Sequence, residues 1–121
     1  DDTQAARLYA TACDGGVMAS CSDLGFMYTN GRGVTRDDTR ATSLYSRACE
    51  GGYARACLNL GTCYEAGRGV SSDVSHAAEL YGHACEHETP NACVRLADLF
   101  ERGHGVAPDS TDFGSFRSVG A

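Results

Sequence analysis

The chain of 121 residues has a formal net charge of -6 at pH 7 and a pI near 5.0. All of its cations are arginine and no segment gathers them, which argues against a nucleic-acid backbone or an anionic membrane surface as the partner. No apolar run approaches the roughly 18 residues of a membrane-spanning helix, so we expect no membrane insertion.

A sequence pattern recurs along the chain at a step of 36 residues. Residues 1–36 and 37–72 are identical at 18 of 36 positions, where unrelated segments would agree at roughly 2. A period of about 20 to 50 residues is typical of solenoid proteins. We therefore predict one all-α solenoid domain, an α/α superhelix of antiparallel helix pairs. Its predicted repeats are 1–36, 37–72 and 73–108, followed by a degenerate fourth helix or C-terminal cap at 109–121.

The first predicted element of each repeat is an amphipathic helix, named helix A. Asp37 and Asp73 stand at its predicted N-cap, where a carboxylate accepts unpaired backbone N–H groups. Glycine pairs at 15–16 and 51–52 predict its end, because glycine tolerates the left-handed backbone that closes a helix. In the first repeat, the helical spacing predicts one buried face, made of Ala5, Leu8, Tyr9, Ala12 and Cys13.

The second predicted element, helix B, runs from about Met18 to Asn30 in the first repeat. Gly25 and Gly61 lie in the middle of this helix, where glycine costs roughly 1 kcal/mol relative to alanine. We therefore expect a neighbouring helix to approach closely there. Helix B ends in a loop with two glycines and a valine, at 31–34, 67–70 and 103–106, and the valine is expected to pack into the core. The predicted buried face of the first helix B is Cys21, Leu24, Gly25, Met27 and Tyr28.

Six of the seven cysteines form three pairs with a spacing of eight residues. Each pair has one member at the end of helix A and one near the start of helix B, so antiparallel helices would bring them within disulfide reach. We predict three local bridges: Cys13 with Cys21, Cys49 with Cys57, and Cys85 with Cys93. Regular cysteine pairing indicates an oxidising compartment, so we expect a secreted or periplasmic protein. The seventh, Cys63, is predicted to be a buried free thiol.

No metal site or cofactor is expected from the sequence. Seven residues between paired cysteines, with no neighbouring histidine pattern, fit a zinc site poorly. His83 and His87 are four residues apart and could share a helix face, but His87 falls in the predicted turn and the other repeats have no equivalent pair. We therefore expect both histidines to be solvent-exposed side chains.

The repeat resembles the Sel-one-like repeat (SLR) family, which is related to tetratricopeptide repeats. The residues that carry the resemblance are Ala41, Leu44, Tyr45 and Ala48 in helix A, Leu60, Gly61 and Tyr64 in helix B, and Gly67-Arg68-Gly69-Val70 with Asp73 in the connection. The paired cysteines are similar to those of the secreted, cysteine-rich Hcp branch. The resemblance implies a superhelix that binds proteins or peptides as a scaffold or adaptor. For some Hcp-type members it also implies penicillin binding and β-lactamase activity.

The residues of this chain argue against that enzymatic activity. A serine β-lactamase needs an activated serine in Ser-x-x-Lys and a second lysine motif, and the chain contains no lysine. A zinc enzyme needs clustered histidines, and the chain has only four. We expect no catalytic residues.

Helix A carries two flanks beside its buried face. One flank is small and is expected to pack on the neighbouring repeat: Ala6, Ala10, Thr42, Ser46, Ala78 and Gly82. The other flank varies between repeats and is the predicted binding stripe: Gln4, Thr11, Arg40, Arg47, His76 and His83. Equivalent positions of a solenoid stack into a ladder, so Arg40 and Arg47 would bind a carboxylate of the partner. An ordinary solvated helix face is the alternative interpretation.

The sequence therefore predicts a non-enzymatic, monomeric module that binds a protein or peptide, possibly through an acidic group of that partner. Two alternatives remain open. One is a protein that binds or hydrolyses cell-wall or β-lactam substrates, and the other is a structural segment of a longer array.

Overall fold

The computed structural model describes residues 1–87 and 89–103, which form an all-α chain of antiparallel helix pairs. Helix A of the three repeats is α1 (Asp2–Asp14), α3 (Asp38–Glu50) and α5 (Val74–Glu86), and helix B is α2 (Met18–Asn30), α4 (Ala54–Ala66) and α6 (Pro90–Arg102). This architecture confirms the predicted helical solenoid. The predicted segment at 109–121 and the end of the loop at 103–106 lie outside the described residues.

Aspartate caps begin the three described A helices. The side chains of Asp1, Asp37 and Asp73 accept hydrogen bonds from the backbone N–H three residues later, over 3.0 to 3.1 Å. This arrangement satisfies one otherwise unpaired donor at each helix start, as expected for Asp37 and Asp73. The helix ends differ in detail from the expectation. The first glycine of each pair has a φ near -80° (Gly15 -82°, Gly51 -79°), and only the second glycine is left-handed.

Helix B of the first two repeats packs tightly against helix A of the following repeat, through a glycine. A Cβ atom at Gly25 would lie 2.8 Å from Cε1 of Tyr45, and one at Gly61 would lie 2.6 Å from Cε1 of Tyr81. Carbon atoms in contact are normally about 3.5 to 4.0 Å apart. The two glycines are therefore sites of close helix approach, as predicted, and the tyrosine ring fills the space that a side chain would need.

The exposure of Leu8 contradicts the predicted buried face of the first helix A. Leu8 is 67% exposed, whereas the equivalent Leu44 and Leu80 are partly buried against the preceding repeat. The physical reason is that α1 is the first helix of the structure, so no helix B covers this side of it.

The small flank of helix A packs within its own repeat, which corrects the prediction that it faces the neighbouring repeat. Ala6 clusters with Leu24 and Met27 of the same repeat. The Thr42 hydroxyl donates a hydrogen bond of 2.8 Å to the carbonyl oxygen of Arg68, in the loop that ends the same repeat. The tyrosine face, not the small flank, makes the contact between repeats.

The three predicted disulfides join the hairpin tips. The Cα atoms are 4.6 Å apart in Cys13–Cys21, 4.7 Å in Cys49–Cys57 and 4.8 Å in Cys85–Cys93. Cys63 is a buried free cysteine that packs with Ala41, Tyr45 and Leu60. The predicted loop valines at 34 and 70 also pack against the core.

Among the described helices, none combines the length and apolar character needed to cross a membrane.

Candidate functional site

The N-terminal positions of the predicted binding stripe are Gln4, Arg40 and His76, and the last two contact the preceding helix B. Gln4 is exposed on α1. The Arg40 guanidinium donates a hydrogen bond of 3.3 Å to the Tyr28 hydroxyl and lies over that ring, 5.4 Å from its centroid. The hydrogen bond to Tyr28 raises the pKa of Arg40 above its ordinary value. His76 makes the equivalent contact with Tyr64, the ring centroids being 4.3 Å apart. Arg40 and His76 therefore sit at the junction of two repeats.

The C-terminal positions of the stripe, Thr11, Arg47 and His83, have different surroundings in each repeat. Thr11 is exposed, and its hydroxyl donates to a backbone carbonyl of its own helix. Arg47 reaches back to the end of α1, where it donates to the carbonyl oxygen of Cys13 over 3.2 Å and lies 3.5 Å from the Asp14 carboxylate. His83 is exposed near the end of α5. Because Arg47 already has two partners, any binding role requires it to use its remaining N–H groups.

A groove runs between consecutive B helices, α4 and α6. Its larger part has a volume of about 890 Å³ and lies at the hairpin tips. A second part, of about 440 Å³, continues along the two helices. The two parts share three lining residues, Leu58, Asn59 and Asn91. Together they form one continuous concave surface, which we name the B groove.

The B groove combines apolar, amide and charged side chains. Leu58 is partly buried in its wall, and Val94 is 60% exposed opposite. The amide of Asn59 donates to the Ser22 hydroxyl over 3.4 Å, which orients this side chain through a contact with the preceding helix B. The remaining polar lining includes Arg55, Thr62, Glu86, Asn91, Arg95 and Asp98. A few oriented polar groups beside apolar surface are typical of ligand grooves.

Sequence reasoning missed the B groove, although a signal was present. The lining positions of helix B differ between repeats: position 58 is leucine, where the other repeats have Ser22 and Val94. Position 59 is asparagine, where the others have Asp23 and Arg95. Variation at stacked positions was used to choose the stripe on helix A, and the same criterion applied to helix B would have indicated the groove.

Repeated helix pairs, a disulfide at each hairpin tip and a groove along one helix layer define the chain as a disulfide-linked α/α solenoid of the interaction-scaffold class. The Sel1 repeat family model matches residues 1–17, 19–53, 54–88 and 90–111. The chain belongs to the Sel1 repeat family. Sel1 repeats generally mediate protein–protein interaction and generally form non-catalytic scaffolds.

Solved structures of the family share this fold. A protective antigen of uropathogenic Escherichia coli with an SLR fold is 28% identical over 98% of this chain, with a TM-score of 0.87. A Sel1 repeat protein of Oxalobacter formigenes is 32% identical over 98% of the chain, with a TM-score of 0.83. Cysteine-rich protein B of Helicobacter pylori is 30% identical over 79% of the chain, with a TM-score of 0.75.

The chain spans only part of the length of these relatives. The chain covers 26% of the Escherichia coli structure, 49% of the Oxalobacter structure and 72% of the Helicobacter structure. A search of the curated proteins finds no match. The comparisons therefore support the family and the scaffold class.

Proposed function

We propose that the chain is a non-enzymatic module that binds an extended peptide segment of a partner protein in the B groove. The observation that supports this proposal is the continuity of the groove between α4 and α6, where two asparagine side chains stand beside Leu58. An asparagine amide can donate and accept at once, so it can hydrogen-bond both groups of a peptide backbone.

The side chains that line the groove favour a peptide that carries both an aliphatic side chain and an acidic group. Leu58 and Val94 provide contact for an aliphatic side chain of the partner, which is worth about 25 cal/mol per Å² of apolar surface removed from water. Arg55 and Arg95 line the groove on opposite helices and are exposed. Their guanidinium groups would pair with an acidic side chain or a chain terminus of the peptide.

The stripe on helix A is the second candidate surface of the same function. Arg40 and Arg47 are exposed arginines seven residues apart on α3, and each uses part of its donor set on the preceding repeat. We propose that their remaining N–H groups bind a carboxylate of the partner. Because their present contacts lie at the solvent-exposed surface, where such pairs contribute little to stability, replacing both by alanine should change thermal stability little.

One experiment separates the two surfaces. A phage-displayed random peptide library is selected on the oxidised chain, and the enriched peptides are measured by calorimetry against two variants. Asn91→Ala with Arg95→Ala removes groove contacts, and Arg40→Ala with Arg47→Ala removes stripe contacts. We expect the groove variant to weaken binding by at least about tenfold, since two side-chain hydrogen bonds are lost.

The outcomes decide between the proposals. Binding lost only in the stripe variant would move the site to helix A and refute the groove. Failure to enrich any peptide on the wild-type chain would refute peptide binding itself. Circular dichroism of both variants shows whether the helices are intact.

The competing enzymatic function has a direct assay. Incubation of the pure chain with a chromogenic β-lactam should give no turnover above buffer, because the chain offers no lysine to activate a serine. Turnover that a point substitution abolishes would overturn the non-enzymatic proposal.

We also infer that the protein works in an oxidising compartment, outside the cell or in the periplasm. Three disulfides at the hairpin tips support this inference, because reducing compartments keep thiols unpaired. Cell fractionation followed by non-reducing mass analysis tests it. Recovery of the chain from the cytosol with reduced cysteines would contradict it.

A further inference from the structure

Two histidine rings stack at the end of α5. His83 lies in the last turn of the helix and His87 is its C-cap residue. The ring centroids are 4.4 Å apart and the ring planes are inclined by 35°. Both side chains are exposed. The position of His87 in the turn, which argued against a shared face at the sequence level, therefore does not separate the two rings.

A backbone hydrogen bond orients the His87 ring. Its Nδ1 lies 2.9 Å from the carbonyl oxygen of His83, and because a carbonyl oxygen can only accept, Nδ1 carries the hydrogen. In the neutral ring the lone pair is then on Nε2. Metal-binding histidines usually donate their other ring N–H to a carbonyl or carboxylate in this way, which sets the tautomer and the ring direction.

The spacing of the two rings suits a shared ion. A metal bonded to two imidazole nitrogens at about 2.0 to 2.1 Å holds those nitrogens no more than about 4.2 Å apart. The ring centroids are 4.4 Å apart, so a turn of the exposed His83 ring would bring one nitrogen of each ring to the same ion without displacing core residues. His76, seven residues earlier on α5, is instead placed beside Tyr64 and Glu79.

We propose that His83 and His87 form a two-histidine binding site for a borderline divalent cation such as Ni²⁺ or Zn²⁺. Imidazole nitrogen is a preferred ligand of these ions, whereas Mg²⁺ prefers oxygen. Residues 1–87 and 89–103 contain no group of three or more metal-ligating side chains. Water fills the remaining coordination positions, and the site is open rather than structural. His87 also lines the larger part of the B groove, but the metal site rests on the two rings and does not depend on peptide binding.

Calorimetric titration of the tag-free, disulfide-intact chain with NiCl₂ and with ZnSO₄ tests the site. We expect one equivalent of either ion to bind, and MgCl₂ to give no binding. His83→Ala and His87→Ala should each weaken binding by at least about tenfold, because loss of outer-shell partners alone weakens metal sites about 10- to 100-fold. His87→Asn serves as a second variant that keeps a polar C-cap. His76→Ala is the matched control and should bind like the wild type.

Paramagnetic broadening by Ni²⁺ in the ¹H–¹⁵N NMR spectrum locates the ion, and we expect it to be centred on residues 83 to 87. Three results would overturn the proposal. They are no binding of either ion at millimolar concentration, wild-type affinity in His83→Ala and His87→Asn, or broadening centred elsewhere.

Discussion

Replacing Gly61 by alanine tests the contact that holds consecutive repeats together. In an unhindered helix this change would stabilise the protein by about 1 kcal/mol. Here the new Cβ would lie 2.6 Å from Cε1 of Tyr81, about 1 Å closer than a normal carbon contact. Tyr81 is fully buried, and its hydroxyl donates a hydrogen bond of 2.6 Å to Glu65, so the ring cannot move aside freely.

The expected net effect is a loss of stability. Overpacking of this kind costs about 1 to 3 kcal/mol, which exceeds or cancels the gain in helix propensity. We expect a net loss of up to about 2 kcal/mol for Gly61→Ala, equivalent to a fall in Tm of up to about 10 °C. Thermal unfolding followed by circular dichroism, with disulfides intact, measures it.

The third repeat provides a matched control. Ala97 occupies the equivalent position of α6 and is exposed. Ala97→Gly should lower stability by about 1 kcal/mol through helix propensity alone, whereas Gly61→Ala should lower it through packing. In a Tyr81→Leu background, which removes the ring, Gly61→Ala should be neutral or stabilising. A rise in Tm for Gly61→Ala in the wild-type background would refute the packing argument.

Three further predictions concern buried polar and sulfur groups. Alkylation followed by mass analysis should label no cysteine in the folded chain and only Cys63 after unfolding without reduction. After unfolding and reduction it should label all seven cysteines. Seven labelled cysteines without reduction would contradict the three bridges. Burial and the hydrogen bond to Glu65 raise the pKa of Tyr81, so stability should fall as pH rises above about 10, where only the unfolded state loses this proton. Urea unfolding from pH 8 to 11 should show a weaker decline for Tyr81→Phe, and an equal decline would count against this explanation. Thr42→Val should cost about 1 kcal/mol by removing the hydrogen bond to Arg68, and Thr42→Ser, which keeps the hydroxyl, should cost less in the same unfolding assay.

The helix pairs and their bridges could be predicted because they depend on local chemistry that recurs. An aspartate cap, a helical spacing of apolar residues and a glycine at each turn act within a few residues of one another. The same pattern occurs in all three repeats, which makes a chance occurrence of the pattern improbable. The disulfide pairing followed from the same local geometry, because a short turn places the end of helix A beside the start of helix B.

The contacts between repeats were less predictable from one sequence. The exposure of Leu8 depends on whether a helix precedes α1, which periodicity does not encode. The direction of the small flank depends on how far helix A is rotated about its axis, and the hydrogen bond from Thr42 to Arg68 shows a rotation toward its own repeat. The partners of Arg40 and Arg47 depend on the same rotation of helix A about its axis.

The B groove was missed for a related reason. Its walls come from α4 and α6, whose lining residues are about 36 positions apart, so no local pattern displays the concavity. Residue types vary between repeats on one face of helix A and on one face of helix B, and the sequence does not distinguish these two variable faces. Only the separation of consecutive B helices shows which variable surface is concave.

The position of the bridges gives them a role at the groove in addition to their effect on stability. The larger part of the groove is lined by residues 52–55 of one hairpin tip and by 86–87 and 89–91 of the next. Cys49–Cys57 spans the first tip and Cys85–Cys93 spans the second. Each bridge closes a short loop and is worth about 2 to 3 kcal/mol in the chain-entropy model. The same constraint limits how far each tip can move, so a peptide bound as proposed would meet groove walls already in place and would lose less ordering entropy on binding.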